Sequence, residues 1–451
     1  MLKPYDEYKE TTCDWLEKLP SHWNIKRINS IFYENKEVNS GLNSTDAFQF
    51  KFGELIPKKK YEINDELAKT YSKYTLIQSQ DIMINGLNLN YDFLTQRIAL
   101  VKEKGIITSA YISLRPRENT YSKYYTFLFK SLDSRKVFNG MGSGIRLTLD
   151  FSELKKLNIS VPPREEQDQI VKYLDWQTSK INTFIKAKKK QIELLKEQKQ
   201  AVINRAVTKG LDDTVPMKNS GIEWLGEVPE HWEIVKLTRL LTERNQKNRP
   251  ELQLLSVVRE KGVIIRDVGN KEENHNFIPD DLSGYKVVKT HQFVMNKMKA
   301  WQGSYGISRY IGIVSPAYYI FDVNFQNFNF FHWAIRSKVY VNFFAQASDG
   351  IRVGQWDLSK DKMKTIPFFI PPNNEQQAIV TYLEEKTAFI DKAIAVIEKE
   401  IELVSEYKTS LISSVVTGKV NVSNVVVPDF EVVEDEISED EGLEVNMDDS
   451  N

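Results

Sequence analysis

The chain has 451 residues, of which 41% are hydrophobic and 27% are charged, and this length predicts two or more domains in a soluble protein. No apolar run approaches 18 residues and the first ten residues are polar, so neither a membrane-spanning helix nor a signal peptide is expected. The single cysteine, Cys13, excludes an internal disulfide and a cysteine-rich metal site, and a cytoplasmic location is predicted.

The net charge of −1 hides an uneven distribution of charge along the chain. Residues 429–451 contain 11 Asp and Glu and no Lys or Arg, whereas the rest of the chain carries 61 basic and 51 acidic residues. Because a highly charged segment has little apolar surface to bury, 421–451 is predicted to be an acidic disordered tail. The basic body permits a nucleic-acid partner without proving one.

The first predicted element is a motif that occurs twice, 209 residues apart. DWLEKLPSHWNIKRI (14–28) and EWLGEVPEHWEIVKL (223–237) share W-L-x-x-x-P-x-H-W-x-I. The motif is either a catalytic box, with His22 and His231 as bases, or the structural marker of a duplicated unit. We favour the structural marker, because each histidine lies between Pro and Trp where the chain enters a strand or helix. The four motif tryptophans, predicted as packing residues, are Trp15, Trp23, Trp224 and Trp232.

Two strand-rich domains of mixed α/β (α+β) class are predicted, over 1–161 and 211–370, with 211–223 as a linker. Four segments within them have the residue pattern of a strand or of a helix rich in aromatic core residues. These are 286–296 and 312–324 as strands, and 120–140 and 329–347 as helices.

A helix-forming segment follows each domain, over 162–210 and 371–420. The two copies align without gaps at 20 identical positions of 48, and each begins with Pro-Pro and ends at glycine, as helices do. Apolar residues recur at alternate steps of four and three, which is typical of a coiled-coil seam. The predicted seam residues are Leu174, Ile181, Ile185, Ile192, Leu195, Val202, Leu383, Ile390, Ile394, Ile397, Ile401, Val404, Leu411 and Val415.

Both seams are interrupted by lysine at the same place, at Lys199 and Lys408. The first helix should extend roughly 65 Å at about 1.5 Å per residue, and a short linker leads from it to the second domain. We therefore predict that the two globular domains are separated by two long helices forming an antiparallel coiled coil, with a pseudo-two-fold internal repeat. The alternative is that each helix packs separately on its own domain.

The sequence contains none of the motifs that would indicate a catalytic chain. It lacks G-x-x-x-x-G-K-[ST], G-x-G-x-x-G, N-P-P-[YF], D-P-P-Y and H-E-x-x-H, and its five histidines are too scattered for a set of metal ligands. The P-D-D…Y-K pattern at 279–286 is only faintly similar to a nuclease carboxylate–lysine arrangement. No catalytic residue and no metal ligand is therefore predicted.

Polar and basic residues gather among glycines in loops of both domains, where they are predicted to bind DNA. Lys and Arg suit phosphates and guanine edges, and Asn and Gln suit adenine. The candidates in the second domain are Lys297, Lys299, Gln302, Ser304, Tyr305, Arg309, Arg352 and Gln355. Those in the first are Asn85, Asn88, Asn90, Tyr91, Arg97, Ser143 and Arg146, beside the lysine-rich segment 51–60. The alternative for any one of them is an ordinary solvated loop.

The repeated W-L-x-x-x-P-x-H-W, the stretches NKMKAWQG (296–303) and GIVSPAY (312–318), and the two P-P-x-x-E-Q-x-x-I-V-x-Y-L helix starts carry a resemblance. Over residues 12–420 the chain resembles the specificity subunit of type I restriction–modification systems. The resemblance implies two target-recognition domains that each read one half of a bipartite double-stranded DNA target. It also implies that the helices act as a ruler and dock two methyltransferase (modification) subunits, which motor–nuclease (restriction) subunits join.

The same resemblance implies that methylation is on adenine and that this chain holds no cofactor. S-adenosylmethionine, ATP and magnesium are expected on the partner subunits, which also flip the base. Two other hypotheses remain open on the residues alone. One is a bivalent structural scaffold or adaptor without sequence reading, and the other is a fused nuclease or methyltransferase.

Overall fold

The structure is a computed structural model that describes residues 2–89, 96–142, 147–259, 261–267, 278–279, 281–352 and 355–434. It consists of two compact units: unit 1 comprises 1–189 and 398–451, and unit 2 comprises 190–397. Each unit therefore combines one domain with parts of both long helices, whereas the sequence predicts five consecutive segments.

The helices and strands follow each other along both domains. The α-helices are α1 (Asp65–Tyr71), α2 (Ser122–Ser134), α3 (Phe151–Leu154), α4 (Arg164–Lys209), α5 (Leu237–Leu240), α6 (Phe328–Ile335), α7 (Lys338–Gln346), α8 (Lys360–Lys364) and α9 (Asn373–Val416). The strands of unit 1 are β1 (Tyr8–Cys13), β2 (Leu16–Pro20), β3 (Asn24–Arg27), β4 (Phe32–Glu34), β5 (Phe48–Lys51), β6 (Glu54–Pro57), β7 (Thr75–Ile77), β8 (Ile82–Ile84), β9 (Ile98–Leu100), β10 (Gly105–Ile107), β11 (Ile112–Pro116) and β12 (Asn158–Val161). Those of unit 2 are β13 (Met217–Asn219), β14 (Glu227–Pro229), β15 (Glu233–Lys236), β16 (Leu241–Arg244), β17 (Leu255–Val258), β18 (Gly262–Ile265), β19 (Lys286–Val288), β20 (Phe293–Asn296), β21 (Tyr305–Ile307), β22 (Gly312–Val314), β23 (Tyr318–Val323), β24 (Ser348–Arg352), β25 (Gln355–Leu358) and β26 (Pro367–Ile370).

Each unit contains a four-stranded antiparallel sheet, and the strand order is the same in both. The order is β4-β11-β8-β9 in unit 1 and β16-β23-β20-β21 in unit 2. Smaller antiparallel pairs repeat as well, with β3–β12 matching β15–β26, β5–β6 matching β17–β18, and β7–β10 matching β19–β22. The mixed α/β class and the internal repeat predicted from the sequence are therefore confirmed.

Aromatic residues join the sheet to the helices in each core. In unit 1, Phe32 of β4 lies edge-on to Tyr125 of α2, with ring centroids 5.3 Å apart. In unit 2, Phe293 of β20 meets Phe331 of α6 at 5.9 Å. Within the residues described, no helix combines the length and the apolar composition that crossing a membrane would need.

The helix predicted over 329–347 is in fact two helices, α6 and α7, and this prediction is corrected. Ser337 has extended backbone angles (φ −64°, ψ 155°) and is fully buried between them. The break lets aromatic residues of both helices reach one ring, since Phe331 and Tyr340 lie 5.0 and 5.5 Å from Phe368. The break between α6 and α7 therefore allows both helices to pack on Phe368.

The two predicted strands of unit 2 are each divided by a turn. Residues 286–296 form β19 and β20, and 312–324 form β22 and β23. His291 lies in the first turn with φ +67°, a left-handed conformation that interrupts an extended strand. The division lets β19 pair with β22 while β20 and β23 enter the main sheet.

The long helices α4 and α9 run antiparallel where they meet within each unit. In unit 1, Lys188 Nζ lies 2.7 Å from Glu400 and Lys408 Nζ lies 2.9 Å from Asn182 Oδ1. In unit 2, Lys199 Nζ lies 2.7 Å from Asp391. The partner residue number falls as the α4 number rises, which defines antiparallel pairing.

The predicted seam residues are all at least half-buried, which suits a seam between the paired helices. The nine that are buried are Leu174, Ile181, Ile192, Leu383, Ile390, Ile394, Ile397, Leu411 and Val415. Ile185, Leu195, Val202, Ile401 and Val404 are half-buried. The lysines that interrupt the seam are tolerated because their ammonium groups reach polar side chains on the opposite helix.

The repeated P-x-H-W sequence joins each domain to the first turn of a long helix. In unit 1, His22 Nε2 lies 2.9 Å from a carboxylate oxygen of Glu166, and Trp23 Nε1 donates to the same oxygen at 3.0 Å. In unit 2, His231 Nε2 lies 2.8 Å from Glu375 Oε2, and Trp232 Nε1 donates to Glu375 Oε1 at 3.1 Å. Both histidines therefore hold a helix end, which favours the structural interpretation of the motif over a catalytic box.

The second tryptophan of the motif also contacts the end of the other long helix. A Cβ on Gly210 would lie 2.6 Å from Glu375 Oε1 and 3.5 Å from the Trp232 ring. A Cβ on Gly418 would lie 3.3 Å from the Trp23 ring. Both glycines have φ +73°, the left-handed conformation that ends a helix. In each unit this tryptophan lies between the start of one long helix and the end of the other.

The first tryptophan of the motif differs between the two copies. Trp15 is buried and its Nε1 donates to the Asn158 carbonyl at 2.8 Å. Trp224 is 43% exposed and lies with its ring 4.8 Å from that of Phe343. Of the four motif tryptophans, Trp224 is thus a packing residue outside the core, where it covers α7.

The predicted disordered tail over 421–451 is wrong for its first part. Residues 421–434, here called the strap, form an extended segment packed on α4 within unit 1. Gln169 Nε2 donates to the carbonyls of Val422 and Val425 at 3.0 and 2.7 Å, and Asn182 Nδ2 donates to Val433 at 2.7 Å. The strap can pack because its valines and Phe430 bury apolar surface, which a count of charged residues does not register. Residues 435–451 lie outside the described residues.

Candidate nucleic-acid interface

The two candidate segments of the second domain lie side by side in unit 2. Loop 296–304, between β20 and β21, packs against the hairpin formed by β24 and β25. Trp301 stacks on Trp356 with ring centroids 5.3 Å apart. Lys297 Nζ lies 3.1 Å from Asp357 Oδ2. Two segments that are distant in sequence thus form one surface, and Lys297 is half-buried within it.

Three of the predicted contacts in this domain have accessible side chains. Lys299 is exposed and Gln302 is half-buried, next to the short 3₁₀ turn that Gly303 ends with φ +89°. Arg309 is exposed in the turn after β21, at the opposite end of that strand from loop 296–304. Lys299 and Gln302 therefore share one edge of the sheet, and Arg309 does not.

Ser304 and Tyr305 are interior residues, and their prediction as DNA contacts is corrected. The Tyr305 ring lies 4.5 Å from Phe344 and 5.8 Å from Phe293, and burial raises the pKa of its hydroxyl far above the ordinary value. Ser304 is buried and its amide donates to the Lys299 carbonyl at 3.2 Å. A side chain inside the core has no access to a duplex, so these residues support the loop from below.

The hairpin of β24 and β25 carries the remaining candidates of unit 2. Arg352 and Gln355 are paired positions at its tip, and their side chains lie outside the described residues. A Cβ on Gly350 would lie 2.9 Å from Trp356 Nε1, so glycine is needed for the indole to cover the strand. The hairpin backbone is thereby fixed close to Trp301.

Arg97 stabilises the candidate loop of the first domain from inside and does not face solvent. Its guanidinium donates to the carbonyls of Asn85, Leu87 and Asn88 at 3.1, 2.7 and 3.3 Å. Its side chain is buried in unit 1. A buried guanidinium that binds backbone carbonyls holds the loop in one conformation, so the prediction of Arg97 as a DNA contact is corrected.

Asn85 and Asn88 are half-buried on the loop that Arg97 holds. Asn85 Oδ1 accepts from the Leu87 amide at 3.1 Å. Asn88 has φ +53°, a conformation that asparagine tolerates better than most residues. The other candidates of this domain, which lie outside the described residues, are Asn90, Tyr91, Ser143 and Arg146.

The chain after residue 146 returns along this loop in unit 1. The Leu89 amide donates to the Leu147 carbonyl at 3.1 Å, and the Leu149 amide donates to the Gly86 carbonyl at 2.9 Å. A Cβ on Gly86 would lie 2.3 Å from the Leu149 carbonyl oxygen, so only glycine allows this approach. Residues 147–149, which follow the second candidate segment of the first domain, thus lie against this loop.

A third segment, the hairpin β5–β6, meets the end of this loop with its turn and carries basic residues at its other end. A Cβ on Gly53 in its turn would lie 2.7 Å from Gln96 Cβ, which places the turn against the start of β9. Lys58, Lys59 and Lys60 follow β6 with exposed side chains. Clustered lysines of this kind supply the electrostatic part of binding to a phosphate backbone.

Three residues that sequence reasoning missed shape the surface of unit 2. Trp301 and Trp356 stand among polar and glycine residues, and an aromatic residue in such a setting is the signal that could have identified them. Arg336 donates to the Tyr305 carbonyl at 2.5 Å and to the Arg259 carbonyl at 2.8 Å. No sequence pattern indicates Arg336, because its acceptors come from segments far away in the chain.

His332 lies beside Arg336 and makes the stability of unit 2 depend on pH. Burial, followed by the charges of Arg336 and Arg309, lowers the pKa of His332 to about 4. An unfolded chain would titrate this histidine near the ordinary pKa of about 6.5. Between those values the unfolded state binds a proton that the folded state does not, so stability falls as the pH is lowered from 6.5 to 4.

We expect the free energy of unfolding of unit 2 to fall by on the order of 2–3 kcal/mol between pH 7 and pH 4.5 because of His332. The variant His332→Asn should abolish that loss. Urea unfolding over a pH series measures the free energy. His291→Asn is the matched control, because His291 is exposed and its variant should keep the full slope. Equal slopes for the wild type and His332→Asn would contradict the assignment.

Both units also expose apolar side chains on their parts of α4 and α9. They are Phe184, Leu403 and Tyr407 in unit 1 and Leu194, Phe389 and Val396 in unit 2, with exposed fractions from 41% to 74%. All six lie off the seam that pairs the helices. Apolar residues repeated along an exposed helix face suit contact with another protein.

The fold defines a protein class. Each unit has the same sheet topology and attaches to paired helices through the same P-x-H-W motif. This is a duplicated protein of mixed α/β class.

The comparisons with known proteins identify the family. Residues 20–194 match the family described as type I restriction modification DNA specificity domain. This part of the chain matches that family, and the predicted resemblance to type I specificity subunits is confirmed.

Relatives resemble the chain over nearly its whole length. The type I restriction enzyme MjaVIII specificity subunit of Methanocaldococcus jannaschii is 26% identical over 432 residues, covering 90% of this chain and 95% of the relative. The MjaX specificity subunit of the same organism is 24% identical over 443 residues, covering 92% and 98%. A solved chain of a type I R-M system matches with a TM-score of 0.61 at 12% identity, over 89% of this chain and 99% of its own, which shows a shared fold.

Proposed function

We propose that this chain is the non-catalytic DNA-recognition subunit of a type I restriction–modification complex, in which each domain reads one half of a bipartite target. The observation that carries the proposal is the convergence in unit 2 of loop 296–304 and the β24–β25 hairpin, which are distant in sequence, on one surface. Such a surface can hold phosphates with basic side chains and read base edges in the major groove with a few polar ones.

The two surfaces differ in chemistry, which suits two different half-sites. Loop 296–304 presents Lys299 and Gln302, whereas the loop held by Arg97 presents Asn85 and Asn88. Lysine favours guanine, and Gln and Asn favour adenine, so the two domains would prefer different bases. A shared topology with different loops is what reading two unlike half-sites requires.

The long helices would set the spacing of the half-sites and dock two methyltransferase subunits. The exposed apolar residues of α4 and α9 support docking, because they are available after the two helices have paired. Adenine methylation with S-adenosylmethionine, and the ATP- and magnesium-dependent work of motor–nuclease subunits, would belong to these partners in the cytoplasm.

The proposal predicts that Lys299→Ala combined with Gln302→Ala relaxes one half of the bound motif and leaves the other unchanged. Each lost base contact should cost about 1–3 kcal/mol of discrimination. The measurement selects bound duplexes from a random pool at about 150 mM salt, with the chain assembled with methyltransferase subunits.

Lys289→Ala is the matched control, because this exposed lysine lies at the other end of β20 and should leave both half-sites intact. Binding that is weak and equal for all sequences would contradict the proposal and favour a scaffold. Methyl transfer by the purified chain alone would contradict its non-catalytic role.

A further inference from the structure

The strap fixes the position of Val433 and Glu434 on unit 1. The Val433 amide donates to Ser179 Oγ at 3.1 Å, and its carbonyl accepts from Asn182. One residue later, Glu434 forms an ion pair of 2.5 Å with Lys102, in the turn between β9 and β10. Residues 435–451, here called the acidic segment, therefore follow directly after a residue that is paired with Lys102. They contain eight Asp and Glu and no Lys or Arg.

Two hollows of unit 1 flank the turn that carries Lys102. One has a volume of about 300 Å³ and is lined by Lys102, Lys123 and Lys130. The other has a volume of about 420 Å³ and is lined by Lys104 and residues 58–60, which are all lysine. Three acidic residues, Asp46, Glu54 and Glu103, line the hollows, and Lys60 and Lys123 already form ion pairs with Asp46 and Asp175. We call the seven lysines the lysine surface.

The lysine surface adjoins the hairpin that was singled out for DNA binding. The smaller hollow extends from Gly53 and Leu55, at the turn of β5–β6, to Lys102. An extended chain covers at most about 3.5 Å per residue, so the acidic segment could extend no more than about 60 Å from Glu434. Both hollows begin at the Lys102 turn and lie within this reach.

We infer that the acidic segment binds the lysine surface and competes there with the phosphate backbone of DNA. This inference rests on the proposed DNA-binding function. Carboxylates and phosphates make the same charge-assisted hydrogen bonds to lysine. The strap determines which surface is occupied, because it anchors residue 434 beside Lys102. Sequence-independent binding, which depends on phosphate contacts, is the kind that this competition weakens most.

The expected weakening of DNA binding follows from the covalent link between the acidic segment and unit 1. A segment linked over a short distance has an effective concentration on the order of 1 mM. If its intrinsic dissociation constant is about 0.1 mM, it occupies the surface roughly nine-tenths of the time, and DNA binding weakens about tenfold. Because both interactions are ionic, the difference should shrink as salt is raised.

The first test uses the full chain without DNA. Carbodiimide coupling joins neighbouring carboxylates and lysines, and mass spectrometry maps the products. We expect the acidic segment to couple to residues 58–60, Lys102 and Lys104 at low salt, and much less at about 0.5 M NaCl. Coupling spread evenly over lysines of the whole chain, or confined to residues 190–397, would overturn the inference.

The second test measures binding of a random duplex at about 50 mM and about 300 mM salt. Replacing the eight Asp and Glu of the acidic segment by Asn and Gln should tighten binding about tenfold at the lower salt, and less at the higher. The matched control converts Ile437, Leu443, Val445 and Met447 to serine, which keeps the charge and should leave binding unchanged. Equal binding by the neutralised and wild-type chains would overturn the inference.

The two readouts separate this inference from the proposed function. If no variant binds DNA while coupling to the lysine surface persists, the proposed DNA recognition fails and the intramolecular contact stands. If DNA is bound with sequence preference but neutralisation changes nothing, recognition stands and the competition is excluded.

Discussion

Replacing Trp232 by alanine is expected to destabilise unit 2 by about 3–5 kcal/mol, the cost of deleting a large core side chain. Trp232 is only 1% exposed, and it packs where α9 begins and α4 ends in this unit. The substitution also removes the indole donor to Glu375. The loss should appear in urea unfolding and as reduced solubility or reduced assembly with methyltransferase subunits.

Trp224→Ala is the control, because the same motif supplies a tryptophan that is 43% exposed. It should cost about 1 kcal/mol or less, as for substitutions at the surface. Changes in loop 296–304 should instead alter which DNA is bound without a comparable loss of stability. A stable, assembled Trp232→Ala chain with an altered sequence preference would reverse the roles assigned to the motif and the loop.

Ending the chain after Lys419 is expected to destabilise unit 1 by about 3 kcal/mol. The truncation removes Val422 and Val427 from the core, and burying a valine contributes at least about 1.5 kcal/mol. It also removes the carbonyl partners of Gln169 and Asn182 on α4. The entropy recovered by not ordering the strap offsets part of the loss.

Hydrogen exchange along α4, together with urea unfolding, measures the effect of that truncation. Ending the chain after Glu434 is the matched control, since it keeps the strap and removes only the acidic segment. This control should unfold like the full chain. If both truncations had the same stability as the full chain, the strap would be a passive covering and not part of the core.

Much of the architecture could be predicted because it depends on local, periodic patterns. The alternating spacing of Leu383, Ile390 and Ile394 predicts a helix with one apolar face whatever the surroundings. Repetition at a constant offset predicts two copies of one fold. Glycines 210 and 418 could be placed at helix ends because only glycine adopts the required backbone angles at little cost.

The candidate site was predicted only in part. The two predicted loops of unit 2 meet in the structure, yet Arg97, Ser304 and Tyr305 are interior residues. A polar residue in a loop sequence can support that loop from inside as readily as it can face solvent. Arg97 illustrates this, since its acceptors are main-chain carbonyls and main-chain atoms leave no trace in side-chain patterns.

The repeated P-x-H-W motif shows which features follow from the sequence and which depend on the tertiary structure. From the sequence alone follow the duplication, the mixed α/β class, the long helices with their seam and the excess of acid in 429–451, because these depend on residue type and spacing. Only the tertiary structure decided that the second Trp joins two helix ends, that Trp224 lies outside the core and that the strap packs on α4. Those outcomes depend on contacts between residues that are distant in the sequence, and the free energy of such contacts is set by burial and hydrogen-bond geometry in the folded chain.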